Sequence, residues 1–150
     1  MKNFDINQLW KNEKLPIING VLFPDGTLIN FSIEEGFERK IKCDGKSFID
    51  LNNLLLASVD VFFQLDLPFG HLTCGEGSMG GDGFVCMEKG QAIEWVAFFE
   101  NSNPFHKLSK ENDFFIAENN LSELWKFSIN GPSSVNIKIS TPNKKQRHIK

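Results

Sequence analysis

Short alternating runs, punctuated by turn residues, set the tightest limit on what this chain can fold into. Residues 17–23 and 27–33 flank Pro24-Asp25-Gly26, read as a type I turn whose glycine supplies a left-handed position. Residues 125–129 place Trp125, Phe127 and Ile129 opposite Lys126 and Ser128, and residues 135–139 place Val135, Ile137 and Ile139 opposite Asn136 and Lys138. Asn130-Gly131-Pro132 joins those two runs as a final hairpin. Between the two hairpins, residues 58–65 carry the β-branched and aromatic content of a strand, and residues 72–74 begin another. Residues 84–88 and 92–100 form a hairpin across Lys89-Gly90, and residues 114–117 are a short apolar run. Residues 37–43 alternate and end at the turn signal Asp44-Gly45.

Strands in succession with hairpin-length turns predict a mostly-β (α+β) fold. The expected form is an antiparallel curved sheet or partial β-barrel around a Phe-rich core, with one to three short helices. The strand–helix rhythm of a parallel sheet is missing. One predicted helix covers residues 3–11, capped by Asn3 or Asp5, with Phe4, Ile6, Leu9 and Trp10 on its apolar side. Pro16 ends it. A second segment, residues 48–57, reads as a helix or irregular turns, and Ser47 stands three residues before Asp50 in a capping-box spacing. The whole chain, residues 1–150, reads as one domain, with 141–150 as a flexible basic tail.

Charge divides the chain. The last seven residues hold four of its 16 Lys and Arg, so the remainder carries 12 against 19 Asp and Glu, a net −7. Between Asp60 and Glu100, seven acids (Asp60, Asp66, Glu76, Asp82, Glu88, Glu94, Glu100) face one base, Lys89, for a net −6. Such a segment repels phosphate backbones and attracts a basic partner, which argues against nucleic acid as the ligand. No apolar run reaches the ~20 residues that span a bilayer. The N-terminal MKNFDINQLWKNEK lacks the apolar core of a signal peptide. Cys43, Cys74 and Cys86 are odd in number and irregular in spacing, as expected for reduced thiols of a cytoplasmic protein.

The stretch from Gly70 to Phe105 holds seven of the twelve glycines, six of them between Gly70 and Gly83. Glycine at this density costs conformational entropy, so the stretch reads as a functional rim. Gly75-Glu-Gly77-Ser-Met-Gly80 matches the dinucleotide-binding spacing. However, a strand follows where a helix is needed, and Glu76 and Asp82 repel phosphate. His71-x-x-Cys74 is a single loose pair, short of a zinc site. Cys74 with His71 or His106 lacks the local signature of a nucleophile and base. No cofactor is expected.

Trp95, Phe98 and Phe99 share one strand and point to both its faces; so do Phe62 with Phe63 and Phe114 with Phe115. In that strand Ile93, Trp95 and Ala97 are expected on one face, with Glu94, Val96 and Phe98 on the other. Both faces then need cover, from a helix, a second sheet or a loop. The alternative is an apolar patch within an acidic rim, which is a protein-binding surface.

Gly75-Glu-Gly-Ser-Met-Gly-Gly-Asp-Gly-Phe-Val85, followed by Glu94-Trp-Val-Ala-Phe-Phe-Glu-Asn-Ser-Asn-Pro-Phe105, resembles small bacterial immunity proteins. These accompany polymorphic toxins, including those of contact-dependent growth inhibition. Trp125-Lys-Phe127 is similar too, so the likeness covers about a third of the chain. The resemblance implies a cytoplasmic protein without enzymatic activity that binds and neutralises one cognate toxin C-terminal domain. Many such toxins are nucleases with basic grooves, which suits an acidic surface. An edge strand would add pairing. The expected contact residues are Asp60, Asp66, Glu76, Asp82, Glu94, Glu100, Asn101 and Asn103, on a monomer or weak dimer. The competing classes are a small-ligand-binding β domain or enzyme with a pocket under the Gly70-to-Gly83 loop, and a subunit of an obligate assembly.

Overall fold

A computed structural model describes residues 5–142 and arranges thirteen strands, one α-helix and one 3-10 turn among them. The central layer is a seven-stranded antiparallel sheet. Its strands are β2 (Gly20–Leu22), β3 (Thr27–Glu34), β4 (Lys40–Phe48), β6 (Asp60–Leu67), β7 (Gly70–Glu76), β8 (Gly83–Lys89) and β9 (Ala92–Phe99). They lie in the order β4-β3-β2-β9-β8-β7-β6. A second sheet stacks on one face as the meander β10 (Phe105–Glu111), β11 (Phe114–Asn119), β12 (Leu124–Ile129) and β13 (Val135–Ser140). The other face is covered by α1 (Ile6–Lys11) and a two-stranded ribbon of β1 (Lys14–Pro16) with β5 (Leu56–Ser58). The fold is mostly β and antiparallel, as the sequence predicts; its sheets stack face to face and do not close into a barrel.

Turn chemistry sets the register. Between β2 and β3 the Thr27 N–H donates to the Asp25 carboxylate at 2.9 Å, and Gly26 sits at φ 95°. The β8–β9 turn uses Gly90 (φ 58°) and Gln91 (φ 69°), two successive left-handed residues of the type I′ kind that suits the twist of a hairpin. At the helix, the Asp5 side chain accepts from the Asn7 N–H at 3.0 Å and caps α1. Asn3 and Phe4 lie outside the described residues, as does the basic tail from residue 143 onward.

Three layers cover both faces of β9, whereas Phe62 of β6 stays 46% exposed. Trp95, Ala97 and Phe99 join Phe105, Phe115, Trp125 and Phe127 in the core between the two large sheets. Val96 and Phe98 join Phe84, Leu9 and Leu15 in the core under α1 and the ribbon. Ile93 corrects the predicted alternation, because it lies in this second core together with Val96 and Phe98. The cause is a bulge: Met87 pairs with Trp95 and Glu88 with Ile93, so Glu94 is an extra residue that shifts the pleat by one.

Bulges also account for other differences. β4 runs through Asp44-Gly45, against the turn that its composition predicts, because Asn30 pairs with Gly45 and Phe31 with Cys43, leaving Asp44 as the extra residue. β10 was not predicted, since Phe105 and Leu108 are buried three apart where His106 bulges. Residues 48–57 hold no α-helix: the end of β4, the 3-10 turn Leu51–Asn53 capped by Asp50, and the start of β5 occupy them, while Ser47 belongs to β4. A single turn cannot offset its nucleation cost alone.

The glycine-rich stretch is mostly strand. Gly75 sits in β7 opposite the bulge at Phe62, where a Cβ would overlap the Asp60 carbonyl oxygen. Close backbone approach, more than loop freedom, explains its presence. The irregular part shrinks to residues 77–82.

Candidate interaction surface

At one end of the stacked sheets, four connections meet: the β3–β4 turn, the 77–82 loop, the β9–β10 loop and the β11–β12 turn. Arg39 ties three of them. Its Nε and Nη2 donate to the two carboxylate oxygens of Glu123 at 2.9 and 2.8 Å. Its Nη1 donates to the Asn101 carbonyl at 2.8 Å, and its Nη2 reaches the Ser102 carbonyl at 3.4 Å. Asn119 completes the clasp. Its amide donates to the Ser102 carbonyl at 2.7 Å and to Glu123 at 2.8 Å, while its side-chain oxygen accepts from the Leu121 and Glu123 N–H groups. Trp125 Nε1 adds a donor to Glu123 at 3.2 Å.

Glu123 is only 6% exposed, yet its carboxylate accepts from Arg39 twice, from Asn119 and from Trp125. A buried charge is tolerable when it is paired and its lone pairs are filled. Burial alone would raise the Glu123 pKa, but hydrogen bonds from Arg39, Asn119 and Trp125 outweigh it and hold the carboxyl below its ordinary value. The hydrogen bond to Glu123 in turn raises the Arg39 pKa against its burial. A carboxyl with a lowered native pKa contributes stability that is fully present above its unfolded value, about 4.3. That contribution is lost as pH falls through the native value. Urea midpoints of the wild type should therefore drop below about pH 4.3, by more than those of Glu123→Gln, which lacks the titrating group. Parallel curves for the two proteins would show that Glu123 is not the linked carboxyl.

The 77–82 loop is fastened beside this clasp. The Asn103 N–H, from a residue at φ 68°, donates to the Gly81 carbonyl at 2.7 Å. Asn19 accepts from the Glu100 N–H and donates to the Glu100 carboxylate, both at 2.9 Å. The Asn120 N–H donates to the Pro104 carbonyl at 3.1 Å. These bonds join the loops into one platform. Three large apolar side chains project from it: Phe37 at 98% exposure, Met79 at 48% and Leu121 at 51%. Acids lie on the same loops and on the strand ends that enter them. Glu35, Glu38 and Asp60 are exposed, and Glu76 and Glu100 are half-buried.

The predicted contact residues divide between two ends of the sheet. Asp60 and Glu76 face each other across β6 and β7, and Glu100, Asn101 and Asn103 lie at the same end. Asp66 and Glu94 do not. Asp66 pairs with His71, which pairs with Glu88, six residues along β6 from Asp60, or about 20 Å at the rise of a strand. There the Asp66 carboxylate meets His71 Nδ1 at 2.5 Å, and Glu94 lies 3.8 Å from Lys89. Asp82 leaves the set altogether. It is fully buried, and its Oδ1 accepts from the Gly77 N–H at 3.1 Å. It props the loop from inside and presents no charge to a partner.

Sequence reasoning missed Arg39, Asn119 and Glu123, which are as much as 84 residues apart. It also missed Phe37, Met79 and Leu121, although each is a lone apolar residue in a polar turn. That is the signal an exposed anchor leaves.

The alternative chemistry finds little support in the geometry. Cys74 lies in the inter-sheet core, donates its thiol to the Phe105 carbonyl at 3.4 Å, and has its pKa pushed up to about 12 by burial. Burial, with a smaller contribution from Glu88, raises the Cys86 thiol well above its ordinary value. Neither offers a thiolate at neutral pH. Among the described residues no three His, Cys, Asp or Glu side chains gather as metal ligands. Space beneath the 77–82 loop is taken by Asp82; a cleft of about 490 Å³ opens instead at the opposite end of the sheets. No helix among the described residues is long and apolar enough to cross a membrane. Comparisons with protein families, with curated proteins and with solved structures gave no match.

Proposed function

We propose that this protein binds and neutralises a basic toxin domain through the loop platform, in the manner of the immunity proteins its sequence resembles. One observation carries the reading: three exposed apolar side chains, Phe37, Met79 and Leu121, stand on loops already locked together, at the same end of the sheets as Glu35, Glu38, Asp60, Glu76 and Glu100. Apolar anchors supply affinity once desolvated, and surrounding acids steer a basic partner and raise its on-rate. A platform fixed before binding loses little entropy on association. Beside it, edge strand β6 exposes Val61 and Phe62 and offers a place for an extended segment of the partner to pair. The protein acts by occlusion in the cytoplasm and performs no chemistry.

The test uses the toxin domain encoded next to this gene. Glu35→Lys, Glu38→Lys and Glu76→Lys together should weaken the complex at least hundredfold, about 2.7 kcal/mol, mostly through the on-rate, and should flatten its salt dependence. Asp66→Lys with Glu94→Lys, at the other end, should leave affinity within about threefold. Equal affinity of the triple variant and wild type, or no complex with any basic toxin domain, would overturn the reading.

A further inference from the structure

The two large sheets are pinned together at the clasp and part at the other end. There a cleft of about 490 Å³ lies between the β6–β7 turn, β8 and β9 on one side and the β10–β11 and β12–β13 turns on the other. Its size is that of a small-molecule site. The floor is apolar: Met87, Trp95 and Phe115 are buried there, and the Trp95 ring stacks on Phe127 with centroids 6.3 Å apart. No hydrogen bond or ion pair among the described residues joins the two lips.

Charge on the lips has a definite pattern. Lys89 and Glu94, 3.8 Å apart, form one lip; Lys110 and Asp113 stand on the other. Glu94 is there because of the β9 bulge. Simple alternation would turn it away from Trp95, whereas the extra residue lets both line the cleft. Bulges that re-aim a side chain are frequent beside functional sites. On the facing lip, Asn112 holds a left-handed φ of 50°, and its carbonyl accepts from the Lys110 ammonium. Lys89 also lies over the Phe69 ring, 5.8 Å from its centroid.

Each lip thus offers one ammonium and one carboxylate around an aromatic floor. A ligand of a single charge meets a like charge on either lip. A ligand with both charges close together on a short apolar body meets a partner for each. We propose that this cleft is a binding site for a zwitterionic α-amino acid with a bulky apolar side chain. The side chain lies on Trp95 and Phe115, the carboxylate turns to Lys89 and Lys110, and the ammonium turns to Glu94 and Asp113. The site shares no residue with the loop platform and stands or falls independently of it.

L-Phenylalanine is the first probe, titrated into the full chain and followed by tryptophan fluorescence and amide chemical shifts. A saturable response is expected, with shifts clustered on β8, β9 and the β10–β11 turn. 3-Phenylpropionate, phenethylamine and glycine, which lack one charge or the body, should each bind at least tenfold more weakly. Glu94→Gln and Lys110→Met, both at exposed positions, should each weaken L-phenylalanine at least tenfold while thermal midpoints stay unchanged. Asp66→Asn should bind as wild type. No saturable response up to about 10 mM, where a Kd of about 1 mM would already be visible, would overturn the proposal. So would equal binding of 3-phenylpropionate, or unchanged affinity in both variants.

Discussion

Glu123→Ala should cost about 3–5 kcal/mol of unfolding free energy, the usual result of removing one partner from a buried ion pair. The substitution leaves the Arg39 guanidinium with only the exposed Glu35 carboxylate at 3.4 Å and the Asn101 and Ser102 carbonyls, and leaves the Asn119 amide and Trp125 Nε1 each short of an acceptor. Chemical denaturation at pH 7 measures it. The companion experiment is the double replacement Arg39→Met with Glu123→Leu, which removes both charges and keeps much of the volume. It should recover the part of the loss that comes from the unpaired charge, because apolar pairs often equal buried ion pairs in stability, while the Asn119 amide and Trp125 Nε1 stay short of an acceptor. The double variant is nevertheless expected to bind its partner more weakly than wild type. Without Arg39, the Asn101 carbonyl loses its side-chain donor and the Ser102 carbonyl keeps only that of Asn119, and the platform carrying Phe37 and Leu121 loosens. A double variant as unstable as the single one would mean that Glu123 serves the fold through something other than its pairing.

Trp125→Ala should be comparably damaging, at about 3–5 kcal/mol. Trp125 is fully buried between the two large sheets, with ring centroids 5.0 Å from Phe99 and 5.3 Å from Phe105. Deleting the indole opens a cavity that sheets on both sides cannot collapse to fill. Trp125→Phe separates the two roles of the residue. It retains much of the ring packing but loses the Nε1 donor to Glu123, so a cost of about 1–3 kcal/mol is expected. If Phe proved as costly as Ala, the polar contact would dominate; if Phe proved neutral, packing alone would hold the site.

Local chemistry was legible in the sequence. Pro24-Asp25-Gly26 makes the turn that its residues specify, and the alternation of Trp125, Phe127 and Ile129 marks a strand whose first two members are fully buried. The two-sided placement of Phe98 and Phe99 followed from the pleat and required the layers that the structure supplies. What escaped was non-local or broke the period. A bulge at His106 spaces the buried residues of β10 by three and hides the strand. Asp44-Gly45 has the composition of a turn but makes a bulge within β4. Arg39 and Glu123 meet only because the β3–β4 and β11–β12 turns are brought to the same end, a matter of topology that no spacing encodes. Asp82 resembles every other acid in its segment, and nothing local tells a carboxylate that props a loop from one that faces solvent.

The position of β2 has a consequence for synthesis. This three-residue strand lies between β3, its neighbour in sequence, and β9, with Gly20 opposite Phe98 and Val21 opposite Ala97. The sheet is therefore two local meanders, β2-β3-β4 and β6-β7-β8-β9, sewn along one short seam. On the ribosome the first meander emerges early and waits for the second, several seconds at about 5–20 residues per second. Throughout that interval the inner edge of β2 is an open row of backbone donors and acceptors, accessible to any neighbouring nascent chain.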